Sequence, residues 1–244
     1  MTANPTLAST LDHFGEVILP EERPIKGFVV FFPPASGDKG QQKSEAQNLS
    51  SLGIASLLYV PPYRRPNSAG GPANIEGELK NWNDARSEYK EIIGIAQSDL
   101  GVSIEKNVVV GKNLGGSVGA FASLGITRCF IATGSVAQLS RFWSESNHPV
   151  AQEFRKNFSP QQMFEYRKAM TPFDLTVSLR NPPASSLVQF GSQDNWIEKI
   201  DVNALTDVIA SRAEIQWTDD DHSMNSDQSR AQRFEFVKNC LAVK

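Results

Sequence analysis

The sequence predicts an α/β protein with a mostly parallel central sheet and helices on both faces. Short runs of β-branched and aromatic residues alternate with longer segments of helical spacing along the 244 residues. Several of the short runs are apolar throughout, as expected of strands that are covered on both faces. The chain is also long enough to bury one large hydrophobic core.

Seven segments have the length and composition of β-strands, and each is bounded by residues that favour turns. In chain order they are GEVILP (15–20), GFVVFFP (27–33), IASLLYV (54–60), NVVVG (107–111), RCFIATG (128–134), SLVQFG (186–191) and AEIQWT (213–218). Because helical segments separate most of them, we expect parallel pairing through crossover connections.

Five helices are predicted between these strands. They cover residues 40–52, 77–99, 115–124, 197–211 and 227–242. The second helix has the clearest pattern, because its apolar residues recur at steps of three and four and mark one buried face. These residues are Leu79, Trp82, Ala85, Tyr89, Ile92, Ile93 and Ala96. Gly101 is a suitable terminator for this helix.

Residues 137–185 interrupt the alternation of strands and helices. The segment contains no strand-like run, is too long for a simple connection, and shows helical spacing at Phe154 and Phe158. We predict a short helical lid inserted within a single domain that spans residues 1–244. The lid is expected to lie over one end of the sheet.

The stretch NVVVGKNLGGSVGA (107–120) runs from an apolar strand through a Gly-x-Asn-x-Gly turn into a helix of small residues. A turn this tight forces its central residue, Asn113, to a positive φ and lifts its side chain above the carboxyl edge of the sheet. Gly111 and Gly115 are expected there, because a Cβ at either position would collide with the crossing backbone. The backbone N–H of Leu114 is expected to face the same space.

Three other stretches each consist of a strand-like run followed by a loop. GFVVFFPPASGDKG (27–40) is a strand followed by a loop of small residues and prolines. LVQFGSQDNWI (187–197) delivers Asp194 after an apolar strand, and IQWTDDDHSM (215–224) delivers His222 after the last strand.

Together these stretches resemble the α/β-hydrolase family, particularly its dienelactone-hydrolase-like and small esterase-like members. The resemblance implies the α/β-hydrolase fold, with position 113 as the nucleophile, Asp194 as the acid and His222 as the base, in the chain order typical of the family. It also implies esters, thioesters or lactones as substrates, and no cofactor.

The oxyanion-binding N–H groups that the resemblance implies belong to Leu114 and to the loop after the second strand. In this loop Pro33 and Pro34 supply no N–H. The second donor is therefore expected at Ala35 or Ser36.

Asn113 departs from the family pattern, because a carboxamide is not a competent nucleophile. Three interpretations remain open. In the first, the protein is a hydrolase in which a laboratory substitution has put Asn in place of a catalytic Ser or Asp. In the second, it is a natural enzyme in which His222 and Asp194 transfer protons without a covalent intermediate, as in a lyase, cyclase or water-activated hydrolysis. In the third, it is a catalytically inactive binding or regulatory protein on the same fold.

Three further side chains are predicted to contact a small-molecule substrate. Tyr63 and Arg64 follow the strand at 54–60 at the carboxyl edge, where such sheets bind ligands, and the arginine suits a substrate carboxylate. Trp143, near the start of the lid segment, is predicted to line an apolar pocket.

Bulk properties exclude several classes of partner. The net charge is -3 and the pI about 5.7, which leaves no electrostatic signature of nucleic-acid binding. No apolar run reaches membrane-spanning length, and the N-terminus lacks a secretory signal, so a cytoplasmic location is expected. The three histidines form no metal-ligand pattern, and no metal is predicted. The oligomeric state is left open.

The two cysteines, Cys129 and Cys240, do not form a disulfide framework by their number or spacing. Cys129 lies within a strand-like apolar run, and we predict that it packs as a small hydrophobic side chain.

Overall fold

The computed structural model describes residues 10–36, 39–66, 68, 70–71, 73–209 and 213–243. A seven-stranded sheet forms its centre. The strands are β1 (Gly15–Ile18), β2 (Gly27–Phe32), β3 (Ile54–Tyr59), β4 (Asn107–Lys112), β5 (Cys129–Thr133), β6 (Ser185–Gly191) and β7 (Glu214–Thr218).

The spatial order of the strands is β1-β3-β2-β4-β5-β6-β7. Only β1 is antiparallel to its neighbour, and the other pairs are parallel. The chain builds one half of the sheet up to β3 and then crosses back, so that β4 lies against β2. The carboxyl ends of β2 and β4 therefore adjoin at a topological switch point, where open α/β sheets bind ligands.

Helices cover both faces of the sheet. They are α1 (Gly40–Ser50), α2 (Ile75–Leu100), α3 (Leu114–Ser123), α4 (Leu139–Glu145), α5 (Pro149–Arg155), α6 (Pro160–Met170), α7 (Leu175–Ser178), α8 (Lys199–Ile209) and α9 (Asp227–Leu241). Short 3-10 turns span Pro62–Arg64, Ile104–Lys106 and Thr171–Phe173. The mostly parallel sheet with helices on both faces confirms the predicted fold class.

Strand β2 shows why its sequence is apolar throughout. Phe28 and Phe32 belong to the larger core, which α2 and α3 cover, whereas Val29 and Phe31 belong to the core under α1 and α9. Successive side chains of a strand point to opposite faces. A strand buried on both faces therefore carries no polar alternation.

The segment between β5 and β6 is helical, and residues 137–184 contain no strand. Asp174 ties its two ends together, because its carboxylate accepts hydrogen bonds from the Ser140 N–H (2.8 Å) and the Ser140 hydroxyl (2.7 Å). Burial raises the pKa of Asp174 to about 6, against these two hydrogen bonds, which lower it.

The structure corrects the prediction for the cysteines. Cys129 of β5 forms a disulfide with Cys240 near the end of α9, with Cα atoms 6.2 Å apart. The two positions are separated by 111 residues. The prediction was wrong because neither the number nor the spacing of cysteines shows that the last helix returns across β5.

Candidate active site

Asn113 occupies the sharp turn between β4 and α3. Its backbone has φ 52° and ψ -124°, a strained conformation that Asn tolerates better than most residues with a Cβ. A Cβ on Gly111 would lie 2.4 Å from the carbonyl oxygen of Gly115, and one on Gly115 would lie 2.3 Å from that of Phe32. The helix can start this close to the strands only because both positions are glycine.

Asp194 and His222 form a hydrogen-bonded pair. Nδ1 of His222 lies 2.8 Å from Oδ2 of Asp194, whose side chain is 1% exposed. The other carboxylate oxygen accepts the backbone N–H of Trp196 at 2.8 Å. The carboxylate therefore holds the proton on Nδ1 and directs the lone pair of Nε2 to the opposite side of the ring.

The carboxamide of Asn113 connects this pair to the start of α3. Its Nδ2 contacts Nε2 of His222, and its Oδ1 accepts the backbone N–H of Leu114 at 2.5 Å. The reverse amide orientation would set the Asn113 NH2 against the Leu114 N–H, donor against donor. The partners thus assign the Asn113 amide as donor to the imidazole and acceptor from the helix N-terminus.

This arrangement has a direct chemical consequence. A hydroxyl at position 113 would lose its proton to His222 and attack a carbonyl carbon, but an amide nitrogen has a delocalised lone pair and cannot do so. The same amide engages both the base and the Leu114 N–H. A ligand oxygen that binds the Leu114 N–H must therefore displace Oδ1 of Asn113.

Ala35 and Ser36 lie in the loop that follows β2 and line the cleft beside Asn113. The guanidinium of Arg64 donates to the carbonyl oxygen of Ala35 and to that of Ser36, the second at 3.3 Å. In a trans peptide the N–H points opposite to the preceding carbonyl, so the Ser36 N–H points away from Arg64. The next residue of this loop, Gly37, lies outside the described residues.

A cleft of about 700 Å³ opens above Asn113 and His222. One wall is apolar and comes largely from the lid segment. Its residues are Val136, Leu139, Phe142, Trp143, Val150 and Trp196. Trp143 is one of these residues, and a cleft of this size suits a small organic molecule.

Tyr63 and Arg64 lie outside the residues that line this cleft. Arg64 instead braces the Ala35–Ser36 loop, and the Tyr63 hydroxyl is buried with no hydrogen-bond partner among the described residues. Burial raises the pKa of Tyr63. Their predicted contact with substrate gains no support from this placement.

Trp196 is a site residue that the sequence reading missed. Its indole stacks on the imidazole of His222, with ring centroids 5.0 Å apart and an angle of 17°. It also lies 4.2 Å from the ring of His148 and 6.0 Å from that of Phe142, both from the lid segment. Its position two residues after Asp194 was the available signal.

Lys112 was also missed, although it immediately precedes Asn113. It lines the cleft, and its ammonium group contacts the side-chain oxygens of Gln41 and Asn225, the latter at 3.1 Å. It thereby joins β4 to α1 and to the loop that carries His222.

No family model and no curated protein matches this chain. Solved structures do. An acetyl xylan esterase from Paenibacillus sp. R4 superposes with a TM-score of 0.71 at 17% identity, over 91% of this chain and 78% of that one. A 2,6-dihydroxy-pseudo-oxynicotine hydrolase superposes with a TM-score of 0.67 at 14% identity, over 93% of this chain and 63% of that one. Porphyromonas gingivalis dipeptidyl peptidase 4 superposes with a TM-score of 0.64 at 14% identity, over 91% of this chain and 33% of that one.

The chain therefore has the α/β-hydrolase fold, and it spans about a third of the dipeptidyl peptidase and less than two thirds of the oxynicotine hydrolase. Identities this low establish the fold alone. In the described part of the chain, no helix is long and apolar enough to cross a membrane. The same residues contain no group of three or more His, Cys, Asp or Glu side chains arranged to hold a metal ion.

Proposed function

We propose that the protein is an enzyme that acts on a small organic molecule by proton transfer at His222, without a covalent intermediate at position 113. The observation that carries this proposal is the buried Asp194 carboxylate bonded to Nδ1 of His222 at 2.8 Å. A carboxylate in this position fixes the tautomer of the base and stabilises the imidazolium formed when Nε2 takes up a proton.

The residues divide the work as follows. Nε2 of His222 removes a proton from a bound water or from an acidic C–H or O–H of the substrate, and later returns it to the product. Asn113 turns its N–H from Nε2 to a substrate oxygen. The N–H groups of Leu114 and of Ala35 or Ser36 stabilise negative charge that develops on that oxygen.

This chemistry corresponds to a lyase, a cyclase or a hydrolase that activates water directly. The apolar wall formed by Phe142, Trp143 and Trp196 favours a substrate with an apolar or aromatic group.

The second candidate function is that of a binding protein without catalysis. The observation that favours it is that the Asn113 carboxamide engages both His222 Nε2 and the Leu114 N–H. The carboxamide thereby occupies the base and the N–H group on which acyl transfer would depend. A ligand would then bind in the cleft without reacting.

The remaining interpretation, a hydrolase in which Asn has replaced a catalytic Ser, predicts recovery of the lost chemistry. Asn113→Ser places a hydroxyl beside Nε2 of His222 in the elbow that the glycines already form. Activity with acyl-enzyme accumulation in this variant, and none in the parent, would support it.

The experiment compares the parent, Asn113→Ser and His222→Ala on p-nitrophenyl esters, thioesters and lactones. His13→Ala, which alters an exposed histidine, is the matched control. Parent activity that falls about 10²- to 10⁴-fold in His222→Ala, but not in His13→Ala, supports proton transfer. Ligand binding by the parent with no turnover in either parent or Asn113→Ser supports the binding protein.

The cytoplasmic location remains a prediction. The disulfide between Cys129 and Cys240 weighs against it, because the cytoplasm of most organisms keeps thiols reduced. Alkylation of free thiols at the moment of cell lysis, followed by intact-protein mass measurement, decides the point. A reduced pair supports the cytoplasm, and an oxidised pair contradicts it.

A further inference from the structure

The loop that carries His222 is held on both sides of the histidine. Before it, the carboxylate of Asp220 accepts the backbone N–H of Ser226 at 2.9 Å and the hydroxyl of Ser229 at 2.8 Å. After it comes Met224, which is fully buried and has a φ of 51°. A left-handed conformation is uncommon for a large side chain such as methionine, and surrounding contacts must maintain it.

The contacts that maintain Met224 come from the face of the sheet opposite α2 and α3. Its carbonyl oxygen accepts hydrogen bonds from Nη1 of Arg233 in α9 and from Nε2 of Gln41 in α1, both at 3.2 Å. Arg233 is only 3% exposed. A buried cation therefore fixes a carbonyl two residues beyond His222.

Arg233 is itself oriented by a carboxylate and an amide. Its Nη2 and Nε contact the two oxygens of Glu45 in α1, the second at 3.4 Å. Its Nη1 also donates to Oε1 of Gln189 in β6 at 3.0 Å. Gln41 completes the group by donating to Glu45 at 3.1 Å.

A buried ion pair is a poor source of stability, because the loss of hydration offsets most of its attraction and an apolar pair of similar volume is often as stable. An apolar pair cannot donate hydrogen bonds, however. The guanidinium of Arg233 donates a directed hydrogen bond to the Met224 carbonyl. Glu45 and Gln189 fix the orientation of that guanidinium.

We infer that the Glu45–Arg233 pair positions the base: it holds the Met224 turn, and thereby sets the place of His222 against Asp194 and Asn113. Arg233 touches none of these three side chains in the hydrogen bonds described above, so it is a positioning residue. The catalytic part of this inference rests on the proposed function, whereas the structural part does not.

The decisive variant is the double substitution Glu45→Met and Arg233→Met. It removes both charges together, so neither is left buried without its partner, and it approximately preserves side-chain volume. Arg233→Lys keeps the positive charge but cannot form the planar fork. Val237→Ala is the matched control, because it opens a cavity in the same helix at a buried position without removing any of these hydrogen bonds.

The first readout is the ¹H–¹⁵N NMR signal of His222 Nδ1–H, which the bond to Asp194 shifts downfield. The chain has three histidines, and the His222→Ala spectrum assigns the signal. We expect the double Met variant to remain folded but to lose or broaden this signal, Arg233→Lys to keep it in part, and Val237→Ala to keep it with lower thermal stability. An unchanged signal in a folded double Met variant would overturn the inference. Should that variant not fold, an unchanged signal in Arg233→Lys would do so.

The second readout is steady-state kinetics on the substrate found in the ester and lactone screen. Displacement of the base lowers kcat by about 10- to 100-fold while KM changes little, and Val237→Ala leaves both near the parent values. A KM effect with unchanged kcat would contradict the inference. If no substrate is turned over by the parent, the proposed function fails, but the NMR signal still tests the positioning role.

Discussion

The sharp turn at Asn113 depends on glycine at position 115, and a single methyl group tests this dependence. Gly115→Ala is the perturbation and Gly94→Ala is its matched control, since both positions lie in helices. Around Gly94, which lies six residues before the end of α2, an added Cβ meets nothing within 4 Å. At Gly115 the added Cβ would lie 2.3 Å from the carbonyl oxygen of Phe32 and 2.5 Å from that of Pro33.

The distances predict changes of opposite sign in the unfolding free energy for the two substitutions. Real Cβ contacts stay above 3.0 Å, and the added Cβ would lie 2.3 Å from the Phe32 carbonyl oxygen. The end of β2 and the start of α3 must therefore move apart by at least 0.7 Å, the difference between 3.0 and 2.3 Å. Both obstructing atoms belong to the backbone and cannot rotate away. Overpacking of this kind costs about 1–3 kcal/mol or more, and we expect Gly115→Ala to lower the unfolding free energy by about 2 kcal/mol. Gly94→Ala should raise it by up to about 1 kcal/mol, the helix preference of alanine over glycine.

Urea-induced unfolding measures both values, and an unchanged m-value shows that the unfolding reaction is the same. A Gly115→Ala variant as stable as the parent would refute the argument that the crossing backbone excludes a Cβ. Equal effects at positions 94 and 115 would refute it as well.

Three further predictions concern the disulfide, the stack of Trp196 on His222 and a buried carboxyl. Reduction of Cys129–Cys240 should lower the unfolding free energy by about 5 kcal/mol, from the loop of 111 residues that it closes; urea unfolding with and without reductant measures this, and a null result contradicts it. Trp196→Leu should lower kcat/KM by about threefold to tenfold, and Trp196→Phe by less, because an aromatic ring retains the stack on His222; equal losses would argue against stacking. Asp174 has a pKa raised from 3.8 to about 6 in the folded protein, so the folded state binds its proton more tightly, and its contribution to stability should fall by about 3 kcal/mol as the pH rises from about 3 to about 7. Asp174→Asn should flatten that decline, and the same pH dependence of stability in the parent and in the variant would contradict the assignment.

The strands and main helices could be predicted because their signals are local. The apolar runs of β2 and β4 and the three- and four-residue spacing of α2 are properties of short segments, and buried parallel strands keep them visible. The turn at Asn113 could also be predicted, because glycine is needed on either side of it to avoid backbone collisions within one strand-turn-helix unit.

Features that depend on distant segments could not be predicted in this way. Arg64 was assigned to a substrate carboxylate, but it braces the carbonyls of Ala35 and Ser36, a contact that depends on how two loops meet. The disulfide and the role of Arg233 require knowing that α9 packs across β5 and against α1. No property of the residues around Cys240 or Arg233 carries that information.

Rapid-mixing kinetics of the parent and of His222→Ala, with intact-protein mass recorded during turnover, tests the central claim most directly. Proton transfer without a covalent intermediate predicts a steady rate with no initial burst, an unmodified protein mass, and at least about a 100-fold fall in kcat/KM in His222→Ala. A burst accompanied by a covalent adduct on the parent, or equal rates in the two proteins, would contradict it.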